Sequence, residues 1–492
     1  MSAINPISRK RDFALPVALL FGLVIACVAI SRQSFWIDET ETAMKAVQPT
    51  LAGWWQLLYA EHNSNLQLPL YMFYIWGWAR VFGASEFALR AANIPWFLLG
   101  ILVIFRFARR HSALRNACLL IYCIHPFVWY YLNEARPYVM QLPGACILVG
   151  CLITGLDEGD EDFRSRSWWV WLSIGLILVS GSGLLGVPWA VMLLLALLLA
   201  RRQAFVDAAS KSGRGAMCVA ALFLAAAAIY YGWTLKEGVR AGFTGMNYLS
   251  IPWVFYEQLG FAGLGPGRTD LRGAEVSLFK PYLLPLCLLA VPMGYALSRG
   301  MRVRFGLSRR SLVWIGLAVC LPLAFTFTLG FVKQFRVLGR HLTPMLPYII
   351  LALACAVHYL WRGKWMDRAA AVLLVLGLML SSYECRFAFR HSKDDYRAAS
   401  AVAIEALAAG KKVWWVADLT SAVFYQVPLS LEDVPGRVRL IYTVPPNLTT
   451  LPDEVLLSKP DLCDPNGSVR RFLAERHYRA TRSFQAFTVW ER

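Results

Sequence analysis

The chain has 492 residues, a formal net charge of +18 and a hydrophobic fraction of 58%. Soluble chains are about 45–50% apolar, so this composition excludes an ordinary soluble protein. Such a positive charge is common in nucleic-acid-binding proteins, but here the basic residues cluster in short loops between long apolar runs. Basic residues in that position set the orientation of membrane helices. We therefore expect a polytopic α-helical membrane protein and no nucleic-acid partner.

The first apolar run, near residues 13–31, is long enough to cross a bilayer. It follows Arg9, Lys10 and Arg11, which hold its start in the cytoplasm, and no signal-peptidase pattern follows it. The acidic cluster 38–41, Asp-Glu-Thr-Glu, then emerges at the far face of the membrane. A charge at that place costs free energy unless it is solvated, paired or used. This cluster is therefore the first candidate for chemistry.

The segment Pro69–Phe82 is apolar but has only 14 residues, which favours a helix lying in the membrane interface over one that spans it. Counting it as a span would place the later basic clusters outside the cytoplasm, against the positive-inside rule. Pro49 and Thr50 divide the preceding part of the loop into two short amphipathic helices. We predict about 11 transmembrane helices, near residues 13–31, 87–108, 116–133, 137–155, 168–181, 184–200, 216–234, 279–298, 311–331, 342–361 and 367–383.

This topology gives a transmembrane domain over residues 1–383, with a first outer loop at 32–86 and another at 235–278. Residues 384–492 form a predicted soluble α/β domain on the periplasmic side. Its pattern predicts helices at 396–409 and 470–477 and strands at 411–417, 438–444 and 483–490. Nine of the 11 cysteines lie in apolar runs without zinc-site spacing. The other two, Cys385 and Cys463, could form a disulfide if this domain lies outside the cytoplasm.

The outer face collects early carboxylates and late basic residues. A carboxylate accepts the proton of an attacking hydroxyl, and arginine binds phosphate through paired donors. Together they suit group transfer from a lipid phosphate to a hydroxyl at the membrane surface. The candidate site residues are Asp38, Glu39, Gln67, Tyr71, Glu86, Arg90, Glu134, Arg136, Tyr138, Lys333, Arg336, Arg340 and His341. Glu41, in the same acidic cluster, is predicted to lie on the helix surface.

Five motifs in order resemble those of the C-type glycosyltransferases that use polyprenyl-phosphate sugars. That group includes protein O-mannosyltransferases, lipid A aminoarabinose transferases and rhizobial-type lipid A sugar transferases. The motifs are Asp38-Glu39, Pro69-Leu-Tyr71 followed by Phe82-Gly-Ala-Ser-Glu86 and Arg90, Glu134-Ala-Arg-Pro-Tyr138, Arg340-His-Leu-Thr-Pro-Met-Leu-Pro347 and Lys393-Asp-Asp-Tyr-Arg397. Gln67 and Leu68 stand where the family has His and Pro, and His341 stands where it has Tyr.

The resemblance implies a periplasmic-face glycosyltransferase of the bacterial inner membrane that inverts the anomeric centre by a single displacement. Asp38 is the implied base, or the carboxylate that orients the acceptor, and Glu39 its support. Arg90, Glu134, Arg136 and Arg340 would shape the pocket for the donor phosphate and sugar. The implied partners are a polyprenyl-phosphate-linked sugar donor, a lipid, glycan or protein acceptor, and membrane lipids. No essential cofactor is expected, although paired carboxylates can hold a divalent metal.

Several alternatives stay open at this point. A transporter or flippase of a lipid-linked sugar would need the same phosphate-binding residues but no base, and a non-catalytic assembly protein would need neither. Glu86 and Arg90 are four residues apart and could form a plain ion pair on one helix. Lys333, Arg336 and Arg340 could anchor lipid headgroups. His341 could serve as a capping or packing residue.

Overall fold

The computed structural model describes residues 14–157, 164–237, 245–267, 270–273, 276–300, 308–446, 448 and 450–492. The helices up to Phe387 are α1 (Ala14–Ala29), α2 (Ile37–Ala46), α3 (Leu51–Ala60), α4 (Pro69–Phe82), α5 (Glu86–Ala91), α6 (Ile94–Phe107), α7 (Ser112–Ile124), α8 (Pro126–Leu132), α9 (Tyr138–Leu156), α10 (Arg166–Gly181), α11 (Val187–Ala200), α12 (Arg202–Ala208), α13 (Arg214–Lys236), α14 (Ser250–Gln258), α15 (Leu283–Gly300), α16 (Arg309–Lys333), α17 (Leu346–Trp361) and α18 (Trp365–Phe387). Short 3-10 helices, Ser64–Gln67 and Gly339–Met345, precede α4 and α17.

Within the described residues, seven helical segments are long and apolar enough to cross a membrane. They are Glu86–Phe107, Tyr138–Leu156, Arg202–Lys236, Ser277–Gly300, Arg309–Lys333, Gly339–Trp361 and Trp365–Phe387, and Ala14–Ala29, Ser112–Ile124 and Leu184–Ala200 are shorter apolar helices. The predicted polytopic helical class is thereby confirmed. The number of 11 spans and the side of the membrane on which each loop lies stay predictions.

One predicted span is interrupted. The run 116–133 divides into α7 and α8 at His125, whose backbone is extended at φ −72° and ψ 127°. Pro126 causes the break, because a residue that precedes proline is driven out of the helical region by the proline ring. The chain therefore reaches the 133–137 turn through a short second helix, α8.

Helix α9 lies at the centre of the bundle. It is apolar around its whole circumference, and 83% of an 18-residue stretch of this helix is buried inside the protein. Such a helix has no face for lipid or water and must be surrounded by other helices; it packs against α6, α10, α11 and α17. Glycines bring α9 and α10 together: a Cβ at Gly144 would lie 2.7 Å from the Cβ of Leu178.

The first outer loop forms the helices that its sequence predicts. Thr50 begins α3, and its hydroxyl accepts a hydrogen bond from the Gly53 amide at 3.0 Å. Helix α4 spans Pro69–Phe82, with Pro69 in the first turn and Gly83 after the last at φ +80°. Helix α2 lies against α4 and the C-terminal region. The acidic cluster is therefore enclosed from two sides.

The C-terminal region contains α19 (Tyr396–Ala408), β1 (Val413–Val416), α20 (Leu419–Phe424), β2 (Leu429–Ser430), β3 (Val438–Leu440), β4 (Glu454–Ser458), α21 (Pro460–Cys463), α22 (Ser468–Glu475), β5 (Arg479–Phe484) and β6 (Phe487–Glu491). The sheet order is β2-β3-β1-β4-β6-β5, with the first four strands parallel and the last two antiparallel to their neighbours. Strand β4, next to β1 in the sheet, was not predicted. The predicted α/β character is present, and two apolar cores pack on the sheet.

The boundary predicted at residue 383 falls inside α18, which continues to Phe387. Helix α20 then lies against α2, and the hydroxyl of Ser421 is 2.8 Å from that of Thr40. The division of the chain into two domains stays a prediction. Cys385 and Cys463 are free thiols, so the disulfide left open by the sequence is not formed.

We expect Gly144→Ala to lower the thermal unfolding midpoint in detergent, because the added methyl forces α9 and α10 apart at a cost of about 1–3 kcal/mol. The matched change Gly77→Ala on α4 meets no atom within 4 Å. Alanine favours a helix over glycine by about 0.5–1 kcal/mol, so G77A should keep or raise the midpoint. Equal midpoints for the two variants would contradict the close approach of α9 and α10.

Candidate active site

The acidic cluster begins helix α2. Trp36 precedes the helix, and Asp38 and Glu39 lie in its first turn, where the helix dipole favours carboxylates. Consecutive residues of a helix point about 100° apart, as 3.6 residues per turn require. Glu39 accordingly points into the protein and is completely buried, whereas Asp38 keeps 25% of its side chain exposed. The two neighbouring acids therefore have different surroundings.

Glu39 forms a two-pronged ion pair with Arg90. Arg90 Nε donates to Glu39 Oε1 at 2.8 Å and Nη2 donates to Oε2 at 2.7 Å, and both side chains have no exposed surface. The remaining Arg90 donors bond the backbone oxygens of Ser31 (3.1 Å), Gln33 (2.7 Å) and Ser34 (3.1 Å). All five N–H groups of Arg90 are thus used inside the protein. The structure places this predicted donor-pocket residue in a buried support for the loop before α2.

Two further groups hold Glu39. The Ala135 amide donates to Oε1 at 2.9 Å, and Lys393 Nζ lies 3.9 Å from Oε2. Burial raises the pKa of Glu39, but the charges of Arg90 and Lys393 outweigh it and hold that pKa below its ordinary value. Glu39 is therefore ionised at neutral pH, and both of its carboxylate oxygens accept hydrogen bonds.

Lys393 joins the C-terminal region to this cluster. Its ammonium donates to Glu134 Oε1 at 2.9 Å and lies over the rings of Trp36 (5.8 Å) and Tyr130 (5.0 Å). Burial lowers the pKa of Lys393 more than Glu134 and Glu39 raise it. Sequence reasoning did not include Lys393 among the site residues, although it opens a motif of the resemblance. The contact between Lys393 and Glu134 becomes visible only in the folded structure.

Asp38 faces two arginines. Its Oδ2 lies 3.1 Å from Arg340 Nη1. Arg136 Nη1 donates to the Asp38 backbone oxygen at 3.2 Å, to Thr42 Oγ1 at 3.1 Å and to Asn65 Oδ1 at 2.6 Å. The guanidinium of Arg340 also lies 5.8 Å from the Tyr138 ring centre. The structure therefore brings together Asp38, Arg136, Tyr138 and Arg340 from three separate parts of the chain.

This group contains donors that the protein itself does not use. Arg340 Nε, Arg136 Nε and the Tyr71 hydroxyl are buried and lack a hydrogen-bond partner within the described part of the chain. A buried donor without a partner costs roughly 1–3 kcal/mol. The charge of Arg136 also acts on the Tyr71 hydroxyl. Cationic and hydroxyl donors left unused beside one carboxylate suit a ligand rich in anionic oxygens, such as a phosphate.

The other residues that the sequence predicted for the site make contacts of their own. Glu86 does not pair with Arg90; it lies 3.1 Å from Arg397 Nη1 and accepts from the Tyr425 hydroxyl at 3.0 Å, which ties α5 to the C-terminal region. His341 Nδ1 accepts from the Leu338 amide at 3.2 Å, a capping contact. Glu134 is buried, Gln67 is half-buried, and Lys333 and Arg336 are exposed.

Glu41 lies nearer the site than the sequence predicted. It is half-buried, and its Oε2 accepts from Asn63 Nδ2 at 3.1 Å and Asn65 Nδ2 at 2.8 Å. Burial and the neighbouring Asp38 raise the pKa of Glu41 to about 7. The prediction of a helix-surface residue is therefore wrong. The available signal was its spacing of three residues from Asp38, which puts both on one side of a helix.

A divalent metal at the Asp38-Glu39 pair does not fit the contacts of Glu39, whose two oxygens are held by Arg90 and the Ala135 amide. Among the residues that the structure describes, no group of three or more His, Cys, Asp or Glu is placed to hold a metal ion. Metal dependence stays a prediction.

No family model and no curated protein matches the chain. Among solved structures, ArnT from Cupriavidus metallidurans bound to undecaprenyl phosphate matches 97% of this chain and 98% of its own, with 14% identity and a TM-score of 0.51. The chain has the fold of ArnT. The fold implied by the resemblance to lipid A aminoarabinose transferases is thus confirmed.

ArnT in its apo state matches over the same shares of the two chains with a TM-score of 0.46 and 14% identity. The arabinofuranosyltransferase AftD from Mycobacteria matches all of this chain and 40% of AftD, with 13% identity and a TM-score of 0.47. The likeness to ArnT at 14% identity describes the architecture, and the role of each side chain rests on its own contacts.

We expect Glu39→Gln to destabilise the protein strongly, because it leaves the Arg90 charge buried without its partner, at a cost of about 3–5 kcal/mol. The matched change Asp38→Asn removes a partly exposed pair and should cost less than about 1 kcal/mol. Thermal unfolding in detergent, together with the yield of monodisperse protein, measures both. Similar losses of stability for the two variants would contradict the conclusion that Glu39, but not Asp38, holds the fold together.

Proposed function

We propose that the protein is a membrane glycosyltransferase that moves a sugar from a polyprenyl-phosphate donor to a hydroxyl acceptor on a lipid, glycan or protein. One observation carries the proposal: Asp38 lies beside two arginines that keep buried donors unused. The donors suit a phosphate, and the carboxylate suits the proton of an attacking hydroxyl. The ArnT fold supports the proposal, since that structure was bound to undecaprenyl phosphate.

In this reaction the acceptor oxygen bonds to the anomeric carbon while the bond from that carbon to the phosphate oxygen breaks. The bonding electron pair leaves with the polyprenyl phosphate, and the hydroxyl proton passes to Asp38. Arg136 and Arg340 stabilise the negative charge that grows on the phosphate. A single displacement of this kind inverts the anomeric centre and needs no covalent enzyme intermediate.

Asp38 and Arg340 form an ion pair in the structure. A phosphate that binds Arg340 competes with Asp38 for the same guanidinium, and the carboxylate then turns to the acceptor hydroxyl. Donor binding thereby frees the base at the moment when it is needed. Arg90 and Glu39 act as positioning residues, because their own bonds are filled within the protein.

Tyr71 and Tyr138 complete the pocket in this proposal. The buried Tyr71 hydroxyl offers a neutral donor near Arg136, and the Tyr138 ring holds the Arg340 guanidinium by a cation–π contact. Glu134 serves through Lys393, which it holds beside Glu39. Lys333 and Arg336 are exposed and are assigned no part in the reaction.

We expect Asp38→Asn to reduce transfer by about 10²–10⁴-fold while binding of the lipid phosphate is kept, because loss of a general base slows only the chemical step. Mass spectrometry of surface glycans measures transfer in a deletion strain that carries the wild-type or the variant gene. Binding of undecaprenyl phosphate to the purified variant is measured by native mass spectrometry. Full restoration of the glycan by the variant would favour a flippase without transfer chemistry.

We expect Arg340→Gln to weaken undecaprenyl phosphate binding by at least about ten-fold, since a charge-assisted hydrogen bond contributes roughly 1.5–3 kcal/mol. Arg336→Gln, the same change four residues earlier at an exposed position, is the matched control and should bind as the wild type does. Titration of the three proteins under one salt condition decides the point. Equal affinity of the R340Q variant and wild type would remove Arg340 from the phosphate site.

A further inference from the structure

Glu41 lies half-buried on α2, one helical turn after Asp38. Its carboxylate is held by two neutral amides, Asn63 and Asn65. The nearby cations bond other acceptors: Lys45 donates to Glu61, and Arg136 Nη1 donates to Asn65 Oδ1 and to the Asp38 backbone. Within the described residues no cation donates a hydrogen bond to Glu41. Glu41 is thus a half-buried acid whose carboxylate accepts its two hydrogen bonds from neutral side-chain amides.

The charges around Glu41 come from several elements. Helix α2 contributes Asp38 and Lys45, the end of α3 contributes Glu61, and the turn before α9 contributes Arg136. The charge of Arg136 also acts on Tyr71 of α4, and the charge of Asp38 acts on Asp418 at the start of α20. Lys45 and Glu61 neutralise each other as an ion pair. The charged group then consists of Arg136, Arg340, Asp38, Glu41 and Asp418.

The charge of this group therefore depends on Glu41. Protonation of Glu41 makes the charge of this group more positive by one unit. A phosphate monoester carries about −1.5 to −2 at pH 7, so it is bound more favourably by the protonated group. The pKa of Glu41, raised to about 7 by burial and by Asp38, makes both states accessible near neutral pH.

We propose that Glu41 takes up a proton when the phosphate of a polyprenyl phosphate binds beside Asp38, so that release of this lipid is coupled to loss of that proton. The inference rests on the proposed function and extends it to control of the lipid product. Binding linkage is reciprocal: a ligand that favours protonated Glu41 is itself bound more tightly where Glu41 is protonated. The acceptor proton received by Asp38 thus has a second carboxylate one turn away.

The test is the affinity of the full-length protein for undecaprenyl phosphate in detergent at pH 6, 7 and 8 and constant ionic strength. For a group with a pKa near 7 that binds a proton with the ligand, the affinity should fall by about ten-fold from pH 6 to pH 8. Glu41→Gln keeps an acceptor for both asparagines and should lose that part of the pH dependence. The ionisation of the ligand itself is common to all variants and cancels in the comparison.

Glu405→Gln, the same change at an exposed position of α19, is the control and should follow the wild type. Thermal unfolding midpoints show that each variant is folded. Proton uptake by the wild type, from calorimetry in two buffers of different ionisation enthalpy, tests the inference without any variant. Equal pH dependence in E41Q and wild type, or no uptake beyond that of the ligand, would overturn the role of Glu41 and leave the transferase proposal standing. Failure of the wild type to bind at every pH would remove both.

Discussion

The buried ion pair of Glu39 and Arg90 is the interaction on which the rest of this site depends. Both charges lie without exposed surface, a placement that is tolerable only when every donor and acceptor is satisfied. Arg90 fixes the backbone of residues 31–34, which connects α1 to α2. Glu39 fixes the Ala135 amide, and Lys393 brings the C-terminal region to the same point. One cluster thus joins the segment after the first helix, helix α2, the 133–137 turn and the C-terminal region.

The cluster around Glu39 fixes the position of Asp38, and the geometry of helix α2 keeps the Asp38 side chain partly exposed. The turn of α2 that points Glu39 inward points Asp38 towards Arg340, where a quarter of its side chain stays exposed. Arg340 and Arg136 reach Asp38 from remote parts of the chain and keep donors that no group in the described part of the chain fills. The architecture therefore holds a carboxylate beside two arginines.

Local sequence patterns predicted much of this architecture. Thr50 marks the start of α3, and Pro69 and Gly83 mark the two ends of α4. The Asp-Glu, Glu-Ala-Arg-Pro-Tyr and Arg-His motifs contain Asp38, Arg136 and Arg340. The missed features depend on contacts between distant residues. Glu134 and Lys393 are 259 positions apart, so no local pattern shows that they meet. The burial of Arg90 and Glu41, and the place of β4 beside β1, likewise follow from packing and not from periodicity.

The measurement that tests the central claim most directly is a structure of the protein with undecaprenyl phosphate bound, by cryo-electron microscopy in lipid nanodiscs. The account predicts phosphate oxygens within about 3 Å of Arg136 and Arg340. It also predicts that Asp38 has left Arg340 and faces the space next to the phosphate. A lipid phosphate held by Lys333 and Arg336 instead, with the pair of Asp38 and Arg340 intact, would contradict it.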